Sequence, residues 1–190
     1  MSPQKQSQVV DALHRGDRAE FATLVRKHQR SVFFLVMRLS RGDEELARDM
    51  VQKSFLKAWA NRESFRGESS FKSWLLRIAH NLALNELNRA WRRRELALEP
   101  TDGGSAAPLG HVKAEALDNV EREQHRALLQ EAVASLSERQ RAVAVLRIYH
   151  DLPFAEIAAI CEITTNNAKV NFHHAVSNIR AFLSNEGVAA

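Results

Sequence analysis

Apolar residues recur at three- and four-residue spacing along most of this 190-residue chain, and no stretch shows the sustained alternation typical of a strand. That spacing predicts helices. The predicted spans are 5–15, 18–40, 44–60, 71–94, 115–135, 138–149, 153–161 and 165–182. The hydrophobic pattern therefore predicts an all-α fold.

Residues suited to helix starts agree with these spans. Asp43 is a plausible N-cap, Ser137 and Gln140 match the capping-box pattern, and Pro153 stands where a helix can begin. Each of these residues precedes or opens a segment with helical periodicity.

The helical pattern is interrupted once, at Glu99–Gly110, a stretch rich in glycine, proline and serine. We therefore predict two small helical domains joined by a flexible linker. The first domain is expected at 1–95, the linker at 96–118 and the second domain at 119–190.

Composition places the chain among ordinary globular proteins, with 45% hydrophobic residues. The longest apolar run, Val32–Met37, is far shorter than the ~20 residues of a membrane-spanning helix. The N-terminus lacks the apolar segment of a signal peptide, and the single cysteine, Cys161, cannot form an internal disulfide. We expect a cytoplasmic protein without direct membrane insertion.

The net charge of +4 is unevenly distributed along the chain. Residues 1–95 carry 19 Lys/Arg and 11 Asp/Glu, whereas residues 96–190 carry 8 and 12. A basic first half is typical of a protein that binds a polyanion, although a solvated surface would explain an excess of this size equally well.

The predicted helix 44–60 has two distinct faces. Its apolar face comprises Ala47, Met50, Val51, Phe55 and Ala58. Its opposite face comprises Asp49, Gln52, Lys53, Leu56 and Lys57. Solvation accounts for the charged residues there, but it accounts less well for the leucine.

A polar stripe also follows the predicted helix 71–94, apart from its core stripe of Phe71, Leu75, Ile78 and Leu82. The polar stripe comprises Trp74, Arg77, Asn81, Asn85 and Asn88. Three asparagines on one helix face are unexpected from helix propensity. Amides can read base edges, arginine can hold phosphate and tryptophan can stack on an unpaired base. The alternative is that the tryptophan belongs to the core.

Two neighbouring segments extend this polar surface. The preceding loop, 61–70, carries Phe65, Arg66 and Ser69. The run Arg92–Arg94 at the helix end can reach phosphates, or can simply be a solvated helix C-terminus favoured by the helix dipole.

Near the C-terminus, Pro153–Cys161 and Thr164–Leu183 predict two helices separated by a short turn, the pattern of a helix-turn-helix. In that motif the N-terminal residues of the second helix enter the major groove. Those residues are Thr164, Thr165, Asn166, Asn167 and Lys169. Asparagine can pair with adenine, and lysine with guanine or phosphate.

Two further residue types in this region favour structural over chemical roles. His173 and His174 are adjacent on a helix and so do not face one another as metal ligands would. Cys161 is expected to be a small buried apolar residue, with redox sensing as the alternative. We expect no metal, no cofactor and no small-molecule substrate. No nucleophile motif or phosphate loop indicates an enzyme.

These segments resemble two conserved regions of bacterial sigma factors of the extracytoplasmic-function (ECF) type. Residues 49–59 and 64–81 resemble the second sigma region, and 136–143, 154–158 and 166–169 resemble the fourth. The resemblance implies a non-enzymatic subunit that binds core RNA polymerase and directs promoter recognition and transcription initiation. It also implies promoter DNA and an anti-sigma factor as partners.

The resemblance assigns roles to individual residues. It implies polymerase binding, to the β′ and β subunits, through Asp49, Gln52, Lys53 and Leu56. It implies recognition of the −10 promoter element by Phe65, Arg66, Ser69, Trp74, Arg77, Asn81 and Asn85. It implies recognition of the −35 element by Thr164, Asn166, Asn167, Lys169, His173 and His174.

Three positions depart from the usual ECF pattern. Lys53 stands where an acidic residue is usual, and Asn171 and His174 stand where arginines are usual. Weak phosphate attraction by the second domain is therefore expected. Two other classes remain open from the residues alone: a helix-turn-helix regulator with a helical sensor domain, and a pure interaction module. Neither needs the polar stripe of helix 71–94.

Overall fold

The computed structural model describes residues 3–96 and 118–185, with side-chain environments for 6–93 and 126–185. The regular elements are α1 (Pro3–His14), α2 (Arg18–Leu39), α3 (Glu44–Ala60), a 3-10 turn (Arg62–Ser64), α4 (Phe71–Leu96), α5 (Asp118–Ser135), α6 (Glu138–Ile148), α7 (Phe154–Cys161) and α8 (Thr165–Asn185). The all-α prediction is confirmed. The predicted linker at Glu99–Gly110 lies outside the described residues.

Side-chain caps fix the starts of two front helices. The Asp17 carboxylate accepts hydrogen bonds from the backbone N–H groups of Ala19 and Glu20, at 2.9 and 3.0 Å. As predicted, Asp43 caps α3 by accepting from the Leu46 N–H at 2.8 Å. Both caps satisfy backbone donors that the helix itself leaves unpaired.

The predicted capping box at the start of α6 is wrong. Ser137 occupies the N-cap position, but its side chain makes no cap hydrogen bond. The Gln140 side-chain oxygen instead accepts from the Asn178 amide of α8, at 3.1 Å. Packing of α8 against α6 therefore engages the Gln140 side chain, which the capping box would have required.

Helices α1–α4 form a front domain around a fully buried apolar centre. Its largest members are Phe65, Phe71, Leu13, Leu35, Met50, Leu75 and Leu76. Helix α4 lies at the middle of this arrangement and packs against both α2 and α3. Its position fixes the loop and the polar stripe that adjoin it.

Helices α5–α8 form the back domain, with α6 at its centre. Six consecutive α6 residues, Arg141–Leu146, are buried, so the middle of this helix is enclosed by α8, α7 and the front domain. The turn between α7 and α8 is made by Glu162, whose backbone is left-handed at φ 55 and ψ 44. The helix-turn-helix geometry thus follows from a tight αL turn after Cys161.

The two domains pack directly on each other, with α4 against α7 and α2 against α6. Arg141 joins them: its guanidinium donates to the carbonyls of Leu136 at 2.7 Å, Ala134 at 2.8 Å and Val133 at 3.2 Å in the back domain, and to Leu39 at 3.0 Å in the front domain. Burial lowers the pKa of Arg141 to about 10, so the side chain stays charged at neutral pH. The sequence did not predict this domain contact.

Within the part of the chain that the structure describes, no helix is both long and apolar enough to cross a membrane.

Candidate nucleic-acid and protein-docking surfaces

The outer face of α3 presents the residues predicted to bind a protein. Leu56 is 62% exposed, and Gln52 and Lys57 are also exposed. The Lys53 ammonium lies 2.6 Å from the Asp49 carboxylate, one helical turn away. Because that ion pair is solvated, it contributes little to stability. Its consequence is electrostatic, since the Lys53 ammonium offsets the negative charge of Asp49 on this face.

An apolar groove that the sequence analysis missed lies beside this face, between α2 and α3. It has a volume of about 490 Å³ and is lined by Phe21, Val25 and Trp59 with Arg18 and Arg26. The Phe21 and Trp59 rings are 4.9 Å apart. The sequence contained a signal for this groove, because apolar residues 21 and 25 and basic residues 18 and 26 have the spacing of one helix face. The apolar surface at this point therefore extends from α3 onto α2.

The polar stripe of α4 lies on one side of the helix, as the spacing predicts. Arg77, Asn85 and Asn88 are exposed, and Asn81 is half-buried. Trp74 is also half-buried, with its ring 5.2 Å from that of Phe65 and 5.7 Å from that of Phe71. Trp74 therefore packs on the core, as the alternative predicted, while part of its side chain stays accessible.

The loop before α4 folds back onto α1. Gln6 donates its side-chain amide to the carbonyls of Gly67 and Ser69, the latter at 2.8 Å, and His14 contacts the Phe65 carbonyl at 3.1 Å. Gly67 has φ +74, and a Cβ there would lie 2.9 Å from Val10. The loop conformation therefore requires glycine at this position.

The three loop residues predicted to touch DNA are placed differently from one another. Phe65 is only 1% exposed and packs in the front core. Arg66 is exposed and Ser69 is half-buried. In this conformation Phe65 presents no surface to a ligand, and its ring packs against that of Trp74.

Basic residues at the end of α4 are engaged with an acidic residue on the same helix. Arg89 and Arg93 each lie 3.3 Å from the Glu86 carboxylate. Arg92 donates to the Asn88 carbonyl at 3.3 Å. The side chain of Arg94 lies outside the described residues.

The start of α8 is exposed in the manner of a recognition helix. Thr165, Asn166, Asn167 and Lys169 are all exposed. Thr164 has a structural role too, because its hydroxyl accepts a hydrogen bond from the Asn167 N–H at 3.1 Å. The exposed side chains of Asn166, Asn167 and Lys169 therefore project from a helix whose first turn is held by this cap.

The next turn of α8 carries Asn171 and His174, the two positions where the resemblance leads one to expect arginines. The Asn171 side chain donates to the Asn167 carbonyl at 2.8 Å. His173 and His174 are exposed, with ring centroids 6.0 Å apart. No group of three metal-binding side chains occurs among the residues described.

Burial suppresses the reactivity of Cys161. It raises the pKa of the thiol to about 12. The thiolate, which is the nucleophilic and oxidisable form, is therefore scarce at neutral pH. This environment favours the structural reading of the cysteine over redox sensing.

Comparison with known proteins finds two family models that match this chain. The model for Sigma-70 region 2 matches residues 24–93, and that for Sigma-70, region 4 matches residues 126–179. The first match contains α3 and the polar stripe of α4; the second contains α6, α7 and the start of α8.

Curated relatives extend the match over most of the chain. The ECF RNA polymerase sigma-E factor of Salmonella typhimurium is 35% identical over 181 residues, covering 90% of this chain and 91% of the relative. That of Escherichia coli is 34% identical over the same coverage. The RNA polymerase sigma-H factor of Pseudomonas aeruginosa is 29% identical over 180 residues, with 90% of each chain covered.

Solved structures share the fold. The sigma factor RpoE of Bartonella quintana, in complex with the anti-sigma factor NepR, matches with a TM-score of 0.70 and 22% identity, covering 87% of this chain and 97% of that one. CnrH, in complex with the cytosolic domain of CnrY, matches with a TM-score of 0.65 and 18% identity, covering 93% and 95%.

The matches to regions 2 and 4, in this order along the chain, define a sigma-70-type transcription factor. Within that class, the chain belongs to the ECF sigma factors, a family of non-enzymatic proteins. It directs promoter recognition in transcription initiation. The alternative of a conventional helix-turn-helix regulator is not favoured, since it does not explain the region 2 match.

Proposed function

We propose that each of the three surfaces performs a different function in transcription initiation. The α3 face binds core RNA polymerase, through its β′ and β subunits. The α4 stripe and the loop before it read and open the −10 element. The start of α8 reads the −35 element. The observation that carries this proposal is the alignment of Arg77, Asn81, Asn85 and Asn88 on one side of α4, where Asn81 is half-buried and the other three are exposed.

Docking rests on the geometry of α3. Leu56 supplies an exposed apolar centre, with Asp49, Gln52 and Lys53 around it. An apolar residue inside a polar ring is the usual composition of a protein interface. The Lys53–Asp49 ion pair leaves this face without the acidic character usual for the family, so polymerase contacts here depend more on Leu56 and on the groove at Trp59.

Strand opening rests on amide and aromatic groups. Asn81 and Asn85 can pair with base edges, Arg77 can hold a phosphate, and the exposed part of Trp74 can stack on an unpaired base. Arg66 and Ser69 flank that surface. Buried Phe65 contributes by supporting the Trp74 ring.

Recognition of the −35 element rests on a short exposed segment. Asn166, Asn167 and Lys169 occupy the part of α8 that enters the major groove, with Thr164 capping the helix behind them. His173 and His174 lie one turn further and provide secondary contacts.

The domain limits that we propose are 1–95 for region two, 96–118 for the linker and 119–190 for region four. We also propose that the protein acts in the cytoplasm without catalysing a reaction itself. An anti-sigma factor is a further proposed partner. It is supported by the solved relatives, whose structures are complexes with NepR and with CnrY.

Permanganate footprinting tests the strand-opening role. With core polymerase on a promoter identified by transcript mapping, Asn81→Ala/Asn85→Ala should reduce thymine reactivity near −10 about tenfold or more while initial binding changes less. Asn178→Ala, which removes an exposed amide on α8, is the matched control and should leave reactivity intact. Undiminished reactivity in the double variant would refute the assignment.

A further inference from the structure

The helix proposed to enter the major groove carries an exposed apolar residue. Val170, in the second turn of α8, is 45% exposed. A β-branched residue is a poorer helix former than alanine, because the helix restricts its χ1 angle. Burial of the side chain usually offsets that cost, but here the side chain is largely accessible. Valine at this position therefore contributes little to the stability of the chain itself.

Val170 faces directly away from the core of the back domain. The inward face of α8 is marked by Ala168 and Ala175, which are fully buried. Phe172 belongs to the same inward face, and its ring lies 5.6 Å from that of Phe154 on α7. With 3.6 residues per turn, Val170 lies roughly 140–160° around the helix axis from each of these three α8 residues. It is thus at the centre of the outward face.

Four polar side chains surround this valine on the outward face. Asn166 and Asn167 precede it by four and three residues, and His173 and His174 follow it by three and four. All four are exposed. The proposed recognition surface therefore has an apolar centre within a ring of hydrogen-bonding groups.

The residues next to Val170 in the sequence leave its methyl groups uncovered. Successive helix residues point about 100° apart, so Lys169 and Asn171 project to opposite sides of the valine. The Asn171 amide is held against the helix backbone, where it donates to the Asn167 carbonyl at 2.8 Å. The two methyl groups of Val170 are therefore available to a ligand in front of α8.

The major groove offers one methyl group to such a residue, the C5 methyl of thymine. The other groups on the base edges are hydrogen-bond donors and acceptors, and an apolar side chain pressed against them would leave them without a partner. Valine therefore favours thymine over cytosine or a purine. Asparagine suits adenine, the partner of thymine, so Asn166 and Asn167 fit the same A·T-containing sequence.

We propose that Val170 determines promoter specificity by packing on the C5 methyl of a thymine in the −35 element, next to the base pairs that Asn166 and Asn167 contact. This assignment rests on the proposed −35 role of α8. It adds an apolar base contact to the polar ones and names the base that the contact selects.

Uracil substitution tests this contact, because deoxyuridine lacks only the methyl group of thymine and keeps its hydrogen-bonding groups. The holoenzyme of core polymerase and the full chain is bound to a duplex promoter identified by transcript mapping. Each −35 thymine, on either strand, is replaced in turn, and closed-complex affinity is measured by competition. At one position we expect uracil to weaken binding about fourfold, the effect of exposing one methyl group.

Val170→Ala should bind thymine and uracil equally at that position. Ile148→Ala is the matched control, since it also truncates an exposed aliphatic residue, at 52% exposure, and should keep the discrimination of the parent. A second measurement replaces the same A·T pair by a G·C pair with the cytosine in place of the thymine. There, 5-methylcytosine should bind about fourfold more tightly than cytosine in the parent and equally in Val170→Ala.

Two kinds of failure are distinguishable in this assay. Uracil that binds as tightly as thymine at every position would overturn the role of Val170, and so would a methyl effect that persists in Val170→Ala. In both cases a base preference that Asn167→Ala relaxes would still support the −35 role of α8. If no base change in the −35 element alters binding of the parent, the −35 role fails and the Val170 contact fails with it.

Discussion

At the scale of single residues, Leu56 is the most direct test of the docking surface. Leu56→Glu places a charge in the proposed contact, where burying it without a partner should cost about 2 kcal/mol or more and weaken binding to core polymerase more than tenfold. Competition pull-downs with core enzyme measure this. The fold should survive, since the side chain is 62% exposed.

The matched control for that variant is Ile148→Glu, another exposed aliphatic residue at 52% exposure, located on the back domain away from α3. It should compete for core enzyme as the parent does. Normal competition by Leu56→Glu, or an equal loss in both variants, would place the docking site elsewhere.

Asn167 and Lys169 separate base reading from phosphate attraction. Asn167→Ala should cost about 1–3 kcal/mol on the preferred −35 sequence and relax the base preference at one position. Lys169→Ala should weaken binding on all sequences and reduce its salt dependence. Both are measured by holoenzyme binding to a −35 sequence library at several salt concentrations. Sequence-blind losses of equal size would mean that α8 contacts only the backbone.

At the scale of elements, Arg141 makes a testable structural claim. Its guanidinium binds carbonyls at the ends of α5 and α2. Arg141→Ala leaves these buried acceptors unsatisfied and should lower the free energy of unfolding by about 3–5 kcal/mol, seen in the urea midpoint. Arg139→Ala, two residues earlier on α6 and exposed, should change it by less than about 0.5 kcal/mol. Similar urea midpoints for both variants would contradict a stabilising role for the Arg141 hydrogen bonds.

Helix positions were predictable because periodicity and caps are local properties of the sequence. The predicted span 18–40 becomes Arg18–Leu39, and 44–60 becomes Glu44–Ala60. The polar stripe of α4 was predictable for the same reason. Burial of Leu76, Ala79 and Ala83 on that helix was not, because the spacing of apolar residues does not say how many neighbours will pack on them.

Loop residues cannot be placed from hydrophobic periodicity alone. Phe65 is a single aromatic residue in a loop, and no periodicity says whether it faces solvent or core. The hydrogen bonds from Gln6 and the tight turn at Gly67 bring the loop onto α1 and bury the ring. Those contacts join residues about 60 positions apart, so the sequence could not indicate them.

At the scale of the whole molecule, folding buries ionisable groups and makes stability depend on pH. Burial, with nearby lysines, lowers the pKa of His28 to about 4, and burial with Lys72 lowers that of His150 to about 4. In the unfolded chain both titrate near ~6.5. Between these values the unfolded state binds more protons, so the free energy of unfolding falls as pH drops from about 6.5 to 4.

Each histidine contributes up to about 1.4 kcal/mol per pH unit to that slope. Urea titrations at pH 7, 6 and 5 measure it, and His150→Gln should make the slope shallower. A flat profile above pH 5 in the parent, or an unchanged slope in the variant, would contradict burial of His150 under the front domain.

Domain packing was the main feature of the whole molecule that the sequence analysis missed. Two helical domains were predicted correctly, but the contact between α4 and α7 joins residues that are far apart in the chain, such as Arg77 and Glu162. Surface charges in separate domains give no sequence signal of pairing. The order of the two regions along the chain was nonetheless enough to indicate the function.

Mapped transcript starts provide the most direct test of the central claim. Core RNA polymerase with this protein is used to transcribe a genomic-fragment library from the encoding organism, and the 5′ ends are sequenced. We predict discrete starts, each preceded by shared −10 and −35 sequences, which Asn81→Ala/Asn85→Ala removes and Asn178→Ala preserves. Starts that match those of core enzyme alone would contradict the account. So would starts with shared −10 and −35 sequences that persist in Asn81→Ala/Asn85→Ala.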